Sequence, residues 1–97
     1  MQCVANLKTK FDELLAPGDY MFSGGEGQRP DSIVFFCPCG TCGDITSIRI
    51  AQKDTKHIPP SWDWNDNREK PTLTPSILRL DKCKWHGYLT DGVFVSC

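Results

Sequence analysis

Much of what this chain does is bounded by what it lacks. No apolar run approaches the roughly 20 residues that a membrane-crossing helix needs. Residues 1–15 hold neither a continuous apolar stretch nor a small-residue cleavage site, which predicts no secretory signal. Only two histidines occur, His57 and His86, so histidine-rich hydrolytic metal shells are excluded. There is no His-Glu-x-x-His, and neither histidine is followed two residues later by Glu, as the zinc deaminases require. The glycine-rich stretch 23–30 (SGGEGQRP) lacks the Walker lysine and the hydroxyl residue that follows it, and reads as a flexible loop. Charge of one sign is missing too: 11 basic and 12 acidic side chains leave a net charge of −1. The eight Lys and Arg from Arg49 to Lys84 are interleaved with Asp54, Asp63, Asp66, Glu69 and Asp81, which describes a mixed solvated surface rather than a phosphate track.

Cysteine is what the chain has in quantity, six in 97 residues. A domain this short buries a limited core and commonly depends on a metal or on disulfides. Three of the six fall within Cys37-Pro38-Cys39-Gly40-Thr41-Cys42, too close together to serve three separate bridges. Cys39-x2-Cys42-Gly43 and Cys83-x2-His86-Gly87 are the same device twice. Each sets two soft ligands across a tight turn, and the glycine that follows turns the backbone without a Cβ clash. Together they predict one tetrahedral structural zinc held by Cys39, Cys42, Cys83 and His86, with Cys37 and Cys97 as reserve ligands. With no secretory signal, a reducing cytoplasm is expected, where clustered thiols hold metal more often than they form disulfides.

The remainder supplies a scaffold. Val4, Leu7, Phe11, Leu14 and Leu15 recur at three- and four-residue spacing, which predicts a short amphipathic helix within 1–18, ended by Ala16-Pro17-Gly18. Residues 19–32 are expected to be a flexible loop containing a brief strand at Tyr20-Met21-Phe22, and 33–97 a β core. Ile33–Phe36 and Asp44–Ile50 predict a hairpin whose turn carries the first knuckle. His57 stands alone and reads as a surface histidine. Trp62 and Trp64 share a face if they lie on a strand, either as a core lid or as a stacking platform for bases. Pro71 and Pro75 argue against a central strand before residue 76. Asp91-Gly92 is a two-residue hairpin turn whose register pairs Leu89 with Phe94, Tyr88 with Val95, Gly87 with Ser96 and His86 with Cys97. Cys97 therefore stands beside His86, either replacing Cys83 in the shell or hydrogen-bonding from outside it.

Several blocks taken in order also carry a resemblance. Cys-Pro-Cys-Gly-x-Cys-Gly, Trp62-x-Trp64-Asn65, Arg68-x-x-Pro71-Thr72-Leu73-Thr74-Pro75-Ser76-Ile77 and Trp85-His86-Gly87-Tyr88-Leu89-Thr90-Asp91-Gly92-Val93 resemble a family of small cysteine-rich proteins of tailed phages and prophages, often mislabelled ammonia monooxygenase. The likeness covers about residues 33–97. It implies a phage or prophage origin and action in the host bacterial cytoplasm, and brings no catalytic residue with it.

These readings converge on a single mainly β domain (a small α+β fold) over 1–97, with zinc-ribbon-like hairpins closed by Zn2+ and a short N-terminal helix. A thiolate-rich shell makes zinc a poor Lewis acid, and no other catalytic constellation is visible, so a non-enzyme is expected. The leading function is an accessory module that binds a host or phage protein, for example to inhibit a bacterial defence system. A nucleic-acid-binding ribbon using Trp62, Trp64, Arg79, Lys82 and Lys84 is the alternative, and a zinc-dependent hydrolase the third reading.

Overall fold

The computed structural model describes residues 2–24, 30–40, 42–51, 61–78 and 84–96, apart from the Pro75 side chain. Nine strands in two sheets form the fold among these residues. They are β1 (Gln2–Val4), β2 (Asn6–Leu7), β3 (Asp19–Ser23), β4 (Ser32–Phe36), β5 (Ile45–Arg49), β6 (Asp63–Trp64), β7 (Leu73–Leu78), β8 (His86–Thr90) and β9 (Val93–Ser96). The five-stranded sheet runs β1-β9-β8-β7-β6 and the four-stranded sheet β2-β3-β4-β5. The mainly β expectation holds. No helix among the described residues is long and apolar enough to cross a membrane.

Alternation along the strands sorts the two faces. On β4, Ile33 and Phe35 are buried, and Cys37 just beyond continues that face. Leu73 and Ile77 of β7, Leu89 of β8 and Phe94 of β9 supply the opposing layer, joined by Tyr20, Ile50, Trp64 and Trp85 in one core. Phe35 and Phe94 meet across it with ring centroids 5.1 Å apart. The hairpin at Asp91-Gly92 has the expected register, Gly87↔Ser96, Tyr88↔Val95 and Leu89↔Phe94. Both turn residues have positive φ (50° and 77°), as a type I′ turn demands. The β4–β5 hairpin also forms as read, pairing Phe36 with Ile45 next to the knuckle.

The N-terminal helix is not seen. Residues 2–4 pair with β9, 6–7 pair with β3, and the only helical piece among the described residues is a 3-10 turn at Phe11–Glu13. Of the five apolar positions in the expected stripe, Leu14 alone is buried, and Val4, Phe11 and Leu15 are 60% exposed or more. A helix this short is marginal without a groove to fill, whereas the open edges of β9 and β3 offer backbone partners at once. The segment therefore crosses between the sheets, with the Ala5 N–H donating to Gly92 O (2.9 Å) and the Asn6 N–H to Gly18 O (3.1 Å). Part of the expected 19–32 loop is likewise strand: Tyr20–Ser23 pair in register with Ser32–Phe35.

The second departure is β7, which lies between β6 and β8 despite Pro75. Leu73 pairs with Leu89 and Ile77 with Gly87, so β7 advances four residues while β8 advances two. Proline has no N–H for the ladder, and the strand accommodates it by bulging. The expectation that both prolines bar a central strand failed because an irregular register removes the demand for that donor.

Candidate functional site

Two groups of chemically competent side chains lie in different parts of the molecule. The first is the knuckle. The thiols of Cys37, Cys39 and Cys42 lie within 4.8 Å of one another and could hold a metal ion. Cys39 and Cys42 Sγ are 3.4 Å apart, and the Cys42 N–H points at Cys39 Sγ, also at 3.4 Å. Sulfurs around a tetrahedral zinc at about 2.3 Å stand about 3.8 Å from each other, so the spacing fits such an ion. Two left-handed glycines, Gly40 (φ 78°) and Gly43 (φ 63°), wrap the turn, and the Cys37 N–H donates to Asp44 O at 2.8 Å to close its base. Cys37, fully buried, is a member of the group rather than standing behind it.

His86 is not in that group. It begins β8 on the outer face of the five-stranded sheet, and its Nε2 lies 3.0 Å from Ser76 Oγ. The bulge explains the meeting. Leu78 is the direct partner of His86, which leaves Ser76 diagonal to it on the same face, where a ring leaning along the strand can reach. Among the described residues Ser76 is the one hydrogen-bond partner of the His86 imidazole. Exposed Leu78 and Tyr88 flank it. At the far end of β7 from the site, the 65–72 segment that leads into the strand is held by Asn65, whose Oδ1 accepts from the Asn67 and Thr72 N–H groups (3.2 and 3.1 Å). The Thr72 hydroxyl accepts from the Asp91 N–H at 2.8 Å, tying the same segment to the β8–β9 turn.

The other sequence-derived candidates are placed as follows. Trp64 is 8% exposed and belongs to the core, its Nε1–H donating to Asn67 O at 3.1 Å. Trp62 packs against the core from its margin. Lys84 is exposed and left-handed (φ 54°). Cys83, Cys97, Arg79, Lys82 and His57 lie outside the described residues, so of the second expected knuckle only the His86 half is described. Burial pushes the Cys3 thiol up, with Asp19 adding to the effect, and its Sγ lies 3.4 Å from Pro17 O. Sequence reasoning missed Ser76 altogether. No Gly-x-Ser-x-Gly or similar elbow surrounds it, and its only local signal is the proline before it.

A serine hydroxyl within hydrogen-bond reach of an imidazole on an open face is a geometry in which a hydroxyl can pass its proton to a base. The comparison with protein families supplies the class: the chain belongs to the family described as bacterial ubiquitination-like system serine protease (BubE), which it matches over residues 7–97. No curated protein and no solved structure matches the chain. The expectation of a non-enzyme is thereby corrected. It rested on finding no catalytic constellation in the linear sequence, and the family to which the chain belongs is described as a serine protease. The family also reaches well upstream of residue 33, where the phage-protein resemblance began.

Proposed function

We propose that this chain is a serine protease of a bacterial ubiquitin-like modification system, with Ser76 as nucleophile and His86 as general base. The observation that carries the reading is the 3.0 Å approach of His86 Nε2 to Ser76 Oγ. In the acylation step Ser76 Oγ attacks the carbonyl carbon of the scissile bond while its proton passes to His86 Nε2. His86 then gives that proton to the departing amine, and Ser76 is left as an ester. Water attacks the ester, its proton taken by His86, and Ser76 Oγ recovers a proton as the acid product leaves. The dyad stands on an exposed sheet face, which suits an extended tail of a folded partner better than a buried small molecule. The binding-module reading drew on neutral charge and abundant aromatics as well as on the absence of a catalytic constellation, and the family's description weighs against the last of these.

The thiol group takes a separate, structural role in this reading. Zinc suits three clustered thiolates in a tight turn, and it holds the β4–β5 hairpin closed without entering the chemistry. The test of the catalytic assignment is labelling by a fluorophosphonate probe followed by peptide mapping. Modification at Ser76 that disappears in Ser76→Ala and His86→Gln is expected. Labelling elsewhere, or labelling unaffected by either change, would sink it.

A further inference from the structure

Trp62 takes no part in the proposed chemistry, yet its indole reaches the backbone of the nucleophile. Its Nε1–H donates to the Ser76 carbonyl at 3.2 Å. The residue itself is fastened to the end of the other sheet. It bridges Ile50 in parallel fashion, its N–H donates to Arg49 O at 2.9 Å, and its carbonyl accepts from the Ala51 N–H at 2.8 Å. Ile50 is buried and donates its own N–H to Asp31 O at 2.8 Å, so the anchorage is firm.

We infer that Trp62 is a positioning residue for Ser76, a strut that is braced against Ile50 just beyond β5, leads directly into β6, and sets the peptide plane following the nucleophile in β7. The inference rests on the dyad reading above. Its physical basis lies in the bulge. The ladder between β7 and β8 holds at Leu73↔Leu89 and resumes at Ile77↔Gly87, and Ser76 has no Cα partner in it. Upstream, the Pro75 ring fixes its own φ and offers no N–H. Downstream, the peptide unit is planar, so anchoring the Ser76 carbonyl fixes ψ of Ser76. The indole thus tethers the main chain on the stretch of β7 that its ladder with β8 leaves loose. With ψ set, the Cα–Cβ bond aims Oγ at His86. With the tether gone, small rotations carry Oγ out of the 3.0 Å approach, and misplacement on the order of 1 Å costs about 100-fold in rate.

The test replaces Trp62 by benzothienylalanine, which keeps the shape of the ring system and puts sulfur where the N–H was, with Trp62→Phe as a second variant. The rate of fluorophosphonate labelling at Ser76 and the thermal midpoint are read together on the full chain. A labelling rate about tenfold or more below wild type, with the midpoint of the benzothienyl variant unchanged, is the expected result. An unchanged labelling rate in that variant overturns the inference while leaving the dyad in place, and so does a rate that falls only in step with the midpoint. Absence of Ser76 labelling in the wild-type chain overturns the dyad reading and this inference with it, an outcome distinct from the other two.

Discussion

The knuckle and the dyad make an instructive pair. Both bring reactive side chains within a few ångströms, but they are built from different sequence distances. The three thiols come from six consecutive residues, and two left-handed glycines do the folding locally. Ser76 and His86 come from neighbouring strands, and their approach depends on a bulge, a proline and the Trp62 tether. The first is a property of a turn and the second a property of a tertiary arrangement. A ligand cluster is therefore visible in composition, whereas a nucleophile and its base are ordinary residues until the sheet assembles.

Perturbations should separate the two regions. Removing metal by chelation, or replacing Cys39 and Cys42 together with Ser, is expected to cost most of the folding stability, a loss of about 5–15 kcal/mol. Circular dichroism melts with metal analysis by mass spectrometry check this, and a chain that holds no stoichiometric metal and melts unchanged would dissolve the distinction drawn here. Ser76→Ala should do the reverse, cutting activity by about a thousandfold or more while leaving the melt alone. Equal losses of stability and activity in that variant would mean that Ser76 is a packing residue.

Gly87→Ala probes the sheet beneath the dyad. An added Cβ would collide with Val95 O and stand 2.6 Å from the Trp85 ring, so backbone and indole must both shift. A destabilisation of about 3 kcal/mol is expected from such overpacking, measured by urea unfolding. The smallest effect concerns Tyr20, whose ring is fully buried and whose hydroxyl donates to Arg68 O. Burial, aided by the Glu69 charge, pushes its hydroxyl up to about 12. In the unfolded chain it ionises near its usual value of about 10. The unfolded state thus releases a proton that the folded state keeps, and this contribution, complete below pH 10, is lost as pH rises through 12. Wild type should lose more stability than Tyr20→Phe over that interval, and parallel curves would show that the hydroxyl contributes nothing.

The correct sequence readings share a local cause. The register of β8 and β9 follows from Asp91-Gly92, since only a primed turn joins two strands through two residues of positive φ. The thiol group follows from spacing, although which thiols belong to it did not, because Cys37-x-Cys39 looks like a poor bite until the β4 strand direction is known. The N-terminal segment misled because its apolar residues have helical spacing and yet remain exposed: Val4 is 65% and Leu15 78% accessible. Periodicity reports what a helix could bury, and two open strand edges decided the outcome. His86 is placed by tertiary pairing: β8 turns the imidazole to the outer face, where the Ser76 hydroxyl meets it, a neighbour that the Cys-x-x-His spacing does not reveal.

By itself, then, the chain's sequence determined a small β domain, two hairpins with the register of the Asp91-Gly92 one, and a thiol cluster in a turn, because each depends on residues within a few positions of one another. Only the tertiary structure decided that β1 and β2 lace the sheets together, that β7 bulges at Pro75, and that Ser76 and His86 become a pair. Those outcomes depend on which strand edges are open and on which residues stand opposite, and neither quantity exists until distant segments have packed.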